Sequence, residues 1–198
     1  MNVVLVDSGG ANLGSVRYAL ERLGATPLVS GDAAVIAAAD RVILPGVGAA
    51  GPGMARLREL GLVDVLRGLR QPLLGICLGM QLLFEASEEG DTACLGLLPG
   101  TVRKLAPAPG LRVPHMGWNR LEPRRPSALL AGIAPGDWAY FVHGYAAPVT
   151  EDCVAASTHG AAFAAVVSRG NVHGAQFHPE RSAATGARLL ANFLEATA

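Results

Sequence analysis

The chain has 198 residues, 51% of them hydrophobic and only 16% charged, which predicts a globular protein with a large core. Its 16 basic and 16 acidic residues cancel, so there is no electrostatic footprint for nucleic acid or anionic lipid. Three cysteines, Cys77, Cys94 and Cys153, form an odd set without CxxC spacing, which argues against a disulfide framework and a zinc site and fits a reducing cytoplasm. The start "MNVVLVDSGG" lacks the basic segment and long apolar run of a signal peptide, and no apolar stretch approaches the ~18 residues of a membrane span.

In chain order, Val3 to Val6 is a short apolar run that predicts a strand buried on both faces, as in a parallel sheet. Asn12 then precedes a helical pattern carried by Leu13, Val16, Ala19, Leu20 and Leu23, with Gly24 as the stop. Arg41 to Leu44 repeats the apolar run and breaks at "PGVGAAGPG"; Leu57 to Leu69 has helical spacing. Leu73 to Ile76 is a third buried strand, leading into "CLGMQLLFEAS", whose residues from Leu78 to Ser87 predict a helix. This alternation predicts an α/β fold with an open, mostly parallel central sheet and helices on both faces. From about Leu97 to Arg125 the chain is rich in Pro and Gly and predicts short strands and loops; "AYFVHGY", "CVAAST", "FAAVVSR" and "VHGAQF" follow at the spacing of a strand meander. A last helix is predicted over Ala184 to Glu195, and with no linker or repeat the whole of 1–198 reads as one domain.

Gly75-Ile76-Cys77-Leu78-Gly79 matches a nucleophile elbow with Cys in the central place. A tight strand-to-helix turn needs small neighbours, and it sets the sulfur at a helix N-terminus, where the dipole favours the reactive thiolate. The following backbone N–H, that of Leu78, points at the same spot and can stabilise an oxyanion. A thiolate that cleaves an amide also needs a base that later serves as acid. Of the five histidines, His178 in "GAQFHPERS" follows an apolar run at the edge where open α/β sheets place their sites. Glu180, two residues on, can fix its tautomer. Pro45-Gly46-Val47-Gly48 fits either a phosphate cradle or a second half of an oxyanion hole; it lacks the phosphate-loop signatures, and spacing does not choose.

With Cys77, His178 and Glu180 together, the chain resembles the class I (triad) glutamine amidotransferases over essentially its whole length. "PGVG" and "PHMGWN" narrow the resemblance to members that work with a (β/α)8-barrel cyclase subunit. The resemblance implies that Cys77 attacks the carboxamide of glutamine to form a thioester, that His178 moves the protons and that Glu180 orients it. It implies an oxyanion site at the backbone of Leu78 and Val47. It further implies a glutamine site at Gly46, Gly48, Gln81, Glu89 and the His143-Gly144-Tyr145 backbone, with neither metal nor cofactor. Asn12, His115, Met116, Trp118, Asn119 and Arg181 match positions at or near the cyclase interface. Trp118 reads as an interface anchor in a Pro- and Gly-bounded loop, the alternative being a core tryptophan. Gly144 departs from the Ser or Thr usual at its position. Two other readings stay open at this stage: a class I glutaminase feeding pyridoxal phosphate synthesis, which usually carries "PGGES", and a non-catalytic DJ-1/PfpI-type domain, which lacks a downstream His-Pro-Glu.

Overall fold

The computed structural model describes residues 1–9 and 12–195. Its main sheet has eight strands. Five are parallel: β1 (Val3–Val6), β2 (Leu28–Ser30), β3 (Arg41–Gly46), β4 (Leu73–Cys77) and β14 (Val172–Ala175). They stand in the order β2-β1-β3-β4-β14, and the sheet continues antiparallel through β13 (Ala161–Arg169), β12 (Cys153–His159) and β9 (Glu122–Pro123). The apolar runs read from the sequence are these central strands. Every residue of β1 and β4 is buried, because both faces of the sheet are covered.

The pleat divides the core in two. Val3 and Leu5 join Val16 and Leu20 of α1 (Leu13–Glu21) and Leu189, Leu190 and Phe193 of α6 (Ala183–Glu195). Val4 and Val6 join Ile36 of α2 (Ala33–Ala37), Met54 and Leu57 of α3 (Ala50–Glu59) and Leu62 and Leu66 of α4 (Leu62–Gly68).

Three segments differ from the sequence expectations. The helix expected over Leu57 to Leu69 is two helices, divided where Gly61 takes φ 67°. The first begins at Ala50 and takes Pro52 into its first turn, where a missing N–H costs no helical bond. The helix expected from Leu78 to Ser87 stops after four residues, α5 (Leu78–Gln81). The chain then turns into β5 (Phe84–Ser87), which runs parallel to β7 (Leu98–Lys104) in a small sheet with β6 (Thr92–Ala93) and β11 (Tyr145–Ala146). Tertiary pairing overrides the local pattern here: the N–H groups of Leu97 and Leu98 both donate to the Leu83 carbonyl. Lastly, the stretch containing Trp118 is a strand, β8 (His115–Arg120), and not a loop. It pairs antiparallel with β10 (Trp138–His143) as a separate two-stranded ribbon, so the expected meander reduces to β12-β13-β14. Among the described residues no helix is long and apolar enough to cross a membrane.

Candidate active site

The β4–α5 junction is the elbow expected from the sequence. Cys77 has φ 54° and ψ −111°, a conformation an L-residue rarely adopts. Its glycines are sterically required: a Cβ on Gly79 would lie 1.8 Å from the Leu44 carbonyl oxygen, and one on Gly75 would lie 2.6 Å from the Gly79 oxygen and the Met80 nitrogen. The strand and the turn are thus pressed together, and Cys77 stands at the C-terminal end of the parallel strands, in register with Gly46 at the end of β3.

Cys77 opens on a cleft of about 190 Å³, lined also by Val47, Gly48, Leu78, Gln81, Glu89, Val142, His143, Gly144, Tyr145 and His178. The structure therefore brings the expected nucleophile, base, oxyanion positions and glutamine-holding positions to one place. Gly46 is the exception: it lies outside this cleft and lines a neighbouring one with Pro45 and Pro52, and a Cβ on it would meet the Gly79 nitrogen at 3.0 Å. Glu89 lies in the turn between β5 and β6 and not at the end of a helix. Its Oε2 accepts the Ala50 N–H at 2.8 Å and so serves the start of α3, just after the Val47-Gly48 loop.

His178 follows β14 and opens a 3-10 turn, Pro179–Arg181. Its Nδ1–H donates to Glu180 Oε1 at 2.8 Å, with the Glu180 carboxylate buried. Burial alone would lower the His178 pKa, but the hydrogen bonds and charges of Cys77 and Glu180 prevail and raise it to about 10. Asn12 Nδ2 donates to the same Glu180 oxygen, which is why Asn12 does not cap α1 with its side chain. The main chain is held as well: the His178 N–H donates to the Tyr140 carbonyl at 2.9 Å. Ser182 Oγ donates to the His178 carbonyl at 2.7 Å and accepts the Tyr140 N–H at 2.9 Å.

His143, the second imidazole of the cleft, is differently placed. Its Nδ1–H donates to the Tyr145 carbonyl at 2.8 Å, which leaves Nε2 to accept from His115 Nδ1–H at 3.0 Å. His115 Nε2 in turn accepts from Asn119 Nδ2 at 3.3 Å, and His159 stacks on His115 with ring centroids 4.1 Å apart. Burial first, then neighbouring imidazoles, lower His115 to about 4; His143 is lowered to about 3. His115, at the start of β8, is thus buried on the inner side of the ribbon. Met116 and Trp118 do face outward, 65% and 49% exposed, and Arg181 lies 4.9 Å over the Tyr140 ring, against which Trp118 also packs. Asn119 is half-buried, and its side chain also donates to the Thr158 carbonyl at 2.8 Å.

Sequence reasoning passed over Gln176 and Tyr140. The first is an interior amide beside Cys77, the second a strand residue that holds the His178 backbone. Neither carries a motif of its own, and only the packing of β14 and β10 shows them.

The family model of class-I glutamine amidotransferases matches residues 4–197. The chain belongs to this family. The amidotransferase is 69% identical over 194 residues, 98% of its own length and 97% of the relative's, to a protein of Xanthomonas euvesicatoria pv. vesicatoria (strain 85-10) named imidazole glycerol phosphate synthase subunit HisH. It is 64% identical over 193 residues, 98% and 96% of the two chains, to a protein of the same name from Xylella fastidiosa (strain Temecula1 / ATCC 700964). Among solved structures, a glutamine amidotransferase has the same fold at TM-score 0.76, with 23% identity and 98% of each chain covered. A structure of PurLQS from Thermotoga maritima matches at TM-score 0.73 and 21% identity, over 98% of this chain and 97% of that one.

Proposed function

We propose that this amidotransferase is the glutaminase subunit of an imidazole glycerol phosphate synthase, hydrolysing glutamine in the cytoplasm and passing ammonia to a (β/α)8-barrel cyclase for histidine synthesis. The observation that carries the mechanism is the strained Cys77 sharing one cleft with a His178 that is itself held by the buried Glu180 carboxylate. Cys77 Sγ attacks the carboxamide carbon, and the charge developing on oxygen is met by the Leu78 N–H and by the Val47 segment. His178 then gives its Nε2 proton to the amide nitrogen, the C–N bond breaks, and ammonia leaves a glutamyl thioester. Water attacks the thioester, its proton passes to His178, and the C–S bond breaks to return the thiolate–imidazolium pair and release glutamate. Glu180 keeps Nδ1 protonated throughout, so Nε2 always faces the sulfur.

The head of glutamine is held by the opposite wall. Gln81 Nε2 donates to the Tyr145 carbonyl and to Gln176 Oε1, both at 2.9 Å, which leaves Gln81 Oε1 as the acceptor to offer an α-ammonium, together with the Glu89 carboxylate. The cyclase seats on the ribbon face with Met116, Trp118 and Arg181, an exposed apolar and cationic patch on a protein of otherwise balanced charge. Three free and buried cysteines support the cytoplasmic assignment.

The test is glutamate release from glutamine by the chain alone, with the cyclase subunit, and with the cyclase and its nucleotide ligand. Strong activity only in the last mixture is expected. Silence in all three with the complex formed overturns the reading, and full activity without the cyclase overturns the regulated coupling.

A further inference from the structure

A side chain beside Cys77 to which the reaction steps assign no part is that of Gln176, which follows β14 and is wholly buried. Its Oε1 accepts from Gln81 Nε2 at 2.9 Å, and its Nε2 lies 3.8 Å from Cys77 Sγ. The orientation of this amide is fixed by its surroundings. Gln81 must turn its own NH2 group towards the Tyr145 carbonyl, which only accepts, and the same NH2 group then donates to Gln176. Gln176 is therefore obliged to give its oxygen to Gln81 and its N–H groups to the sulfur. A thiolate only accepts, so donor and acceptor are matched at each junction from the Tyr145 carbonyl to Sγ.

We infer that Gln176 is a catalytic residue whose side-chain N–H donates to the Cys77 sulfur once its proton has passed to His178, and again when the thioester breaks. The inference rests on the reading of Cys77 as the nucleophile. A neutral donor suits this place. The charged groups around Cys77 are already assigned: His178 with Glu180 behind it, and Glu89 across the cleft on the Ala50 N–H. His143 of β10 is neutral, and neither β3 nor α5 brings an ionisable side chain to the sulfur. A second cation would compete with His178 for Glu180 and would repel the α-ammonium of the substrate. A carboxamide stabilises the thiolate without supplying or taking a proton, and so leaves His178 as the only acid.

The experiment is the pH dependence of Cys77 alkylation by iodoacetamide, read by the mass of the Cys77 peptide, for the unaltered chain, Gln176→Met and Gln176→Asn. Met keeps the volume and removes the donor; Asn keeps the amide but is one methylene shorter and does not reach the sulfur. Both variants are expected to raise the pH midpoint by about one unit and to slow alkylation below it about tenfold, as loss of one hydrogen bond to a charged group implies. A role in packing alone would lower the unfolding temperature of Gln176→Met and leave the midpoint in place. Folded variants with the midpoint of the unaltered chain overturn the inference, and Gln176→Asn decides it if Gln176→Met does not fold. Absence of labelling in the unaltered chain overturns the nucleophile itself, a separate result.

Discussion

Two histidines line one cleft and are driven in opposite directions. His178 has a buried carboxylate on one ring nitrogen and shares its cleft with the Cys77 sulfur, and is raised to about 10. His143 has a carbonyl on one nitrogen and another imidazole on the other, and is lowered to about 3. Both are buried, so desolvation does not separate them; the charge of the partner does. The comparison teaches why only one of them serves the chemistry. Both His143 nitrogens are committed within a one-way chain running from Asn119 through His115 to the Tyr145 carbonyl, so the ring positions the cleft wall and exchanges no proton.

The most severe way to break this difference is His178→Gln, which should lower glutamine hydrolysis in the cyclase complex by about 10²–10⁴-fold, measured as kcat for glutamate release. Glu180→Gln leaves the imidazole in place and removes its charge partner; a loss of the order of 10²-fold or more is expected, with the activity shifted in pH as His178 falls back towards its ordinary value. His115→Phe keeps a ring beside Phe141 and Phe163 but deletes the donor to His143. It should raise KM for glutamine several-fold with kcat within about twofold, because it loosens the wall and not the acid.

The same contrast sharpens in the pH dependence of stability. His115 and His143, with folded values near 4 and 3 against an ordinary 6.5, take up protons on unfolding, so stability falls as pH drops below 6.5, by up to about 1.4 kcal/mol per unit for each. His178 acts oppositely: its contribution is complete below 6.5 and is lost as pH rises towards about 10. Unfolding temperatures should therefore decline more steeply on the acid side, and His115→Phe should flatten that side alone. The smallest effect expected is that of Gly144→Ser. A Cβ there meets only Pro114 Cβ at 3.9 Å, so stability should change by less than about 0.5 kcal/mol, and KM by less than threefold if the segment holds glutamine through its main chain.

Much of this was legible in the residues. The buried central strands announce themselves as continuous apolar runs, and the elbow as a Cys between two glycines whose side-chain positions are filled by backbone. The end of α5 was not legible, because "LLFE" suits a helix as well as a strand and the decision falls to β7, some fifteen residues away in the chain. Nor was the start of α3 in "AAGPG", since part of what holds it is the Glu89 carboxylate, supplied from another turn. The bond between His115 and His143 exists only once β8 and β10 are in register, and the orientation of Gln176 only once Gln81 and Tyr145 are in place. Local pattern records what a strand or helix needs from itself, and these features depend on what other segments bring.

The double hold of Ser182 and Tyr140 on the His178 main chain has a mechanical consequence. Cys77 is mounted on the main sheet, whereas the backbone of His178, where β14 has ended, is taken up by the β8–β10 ribbon. The main sheet holds the chain as far as Gln176, whose N–H donates to the Ala165 carbonyl, and the ribbon takes it over at His178, so the bedding of the ribbon on the sheet bears on the gap between nucleophile and base. The bedding is aromatic: Phe141 meets Phe163 and Phe177 edge-on, at 5.5 and 5.7 Å between ring centroids. Three phenylalanines outside the cleft lining therefore form the contact between the two parts, and the outer side of the same ribbon carries Met116 and Trp118.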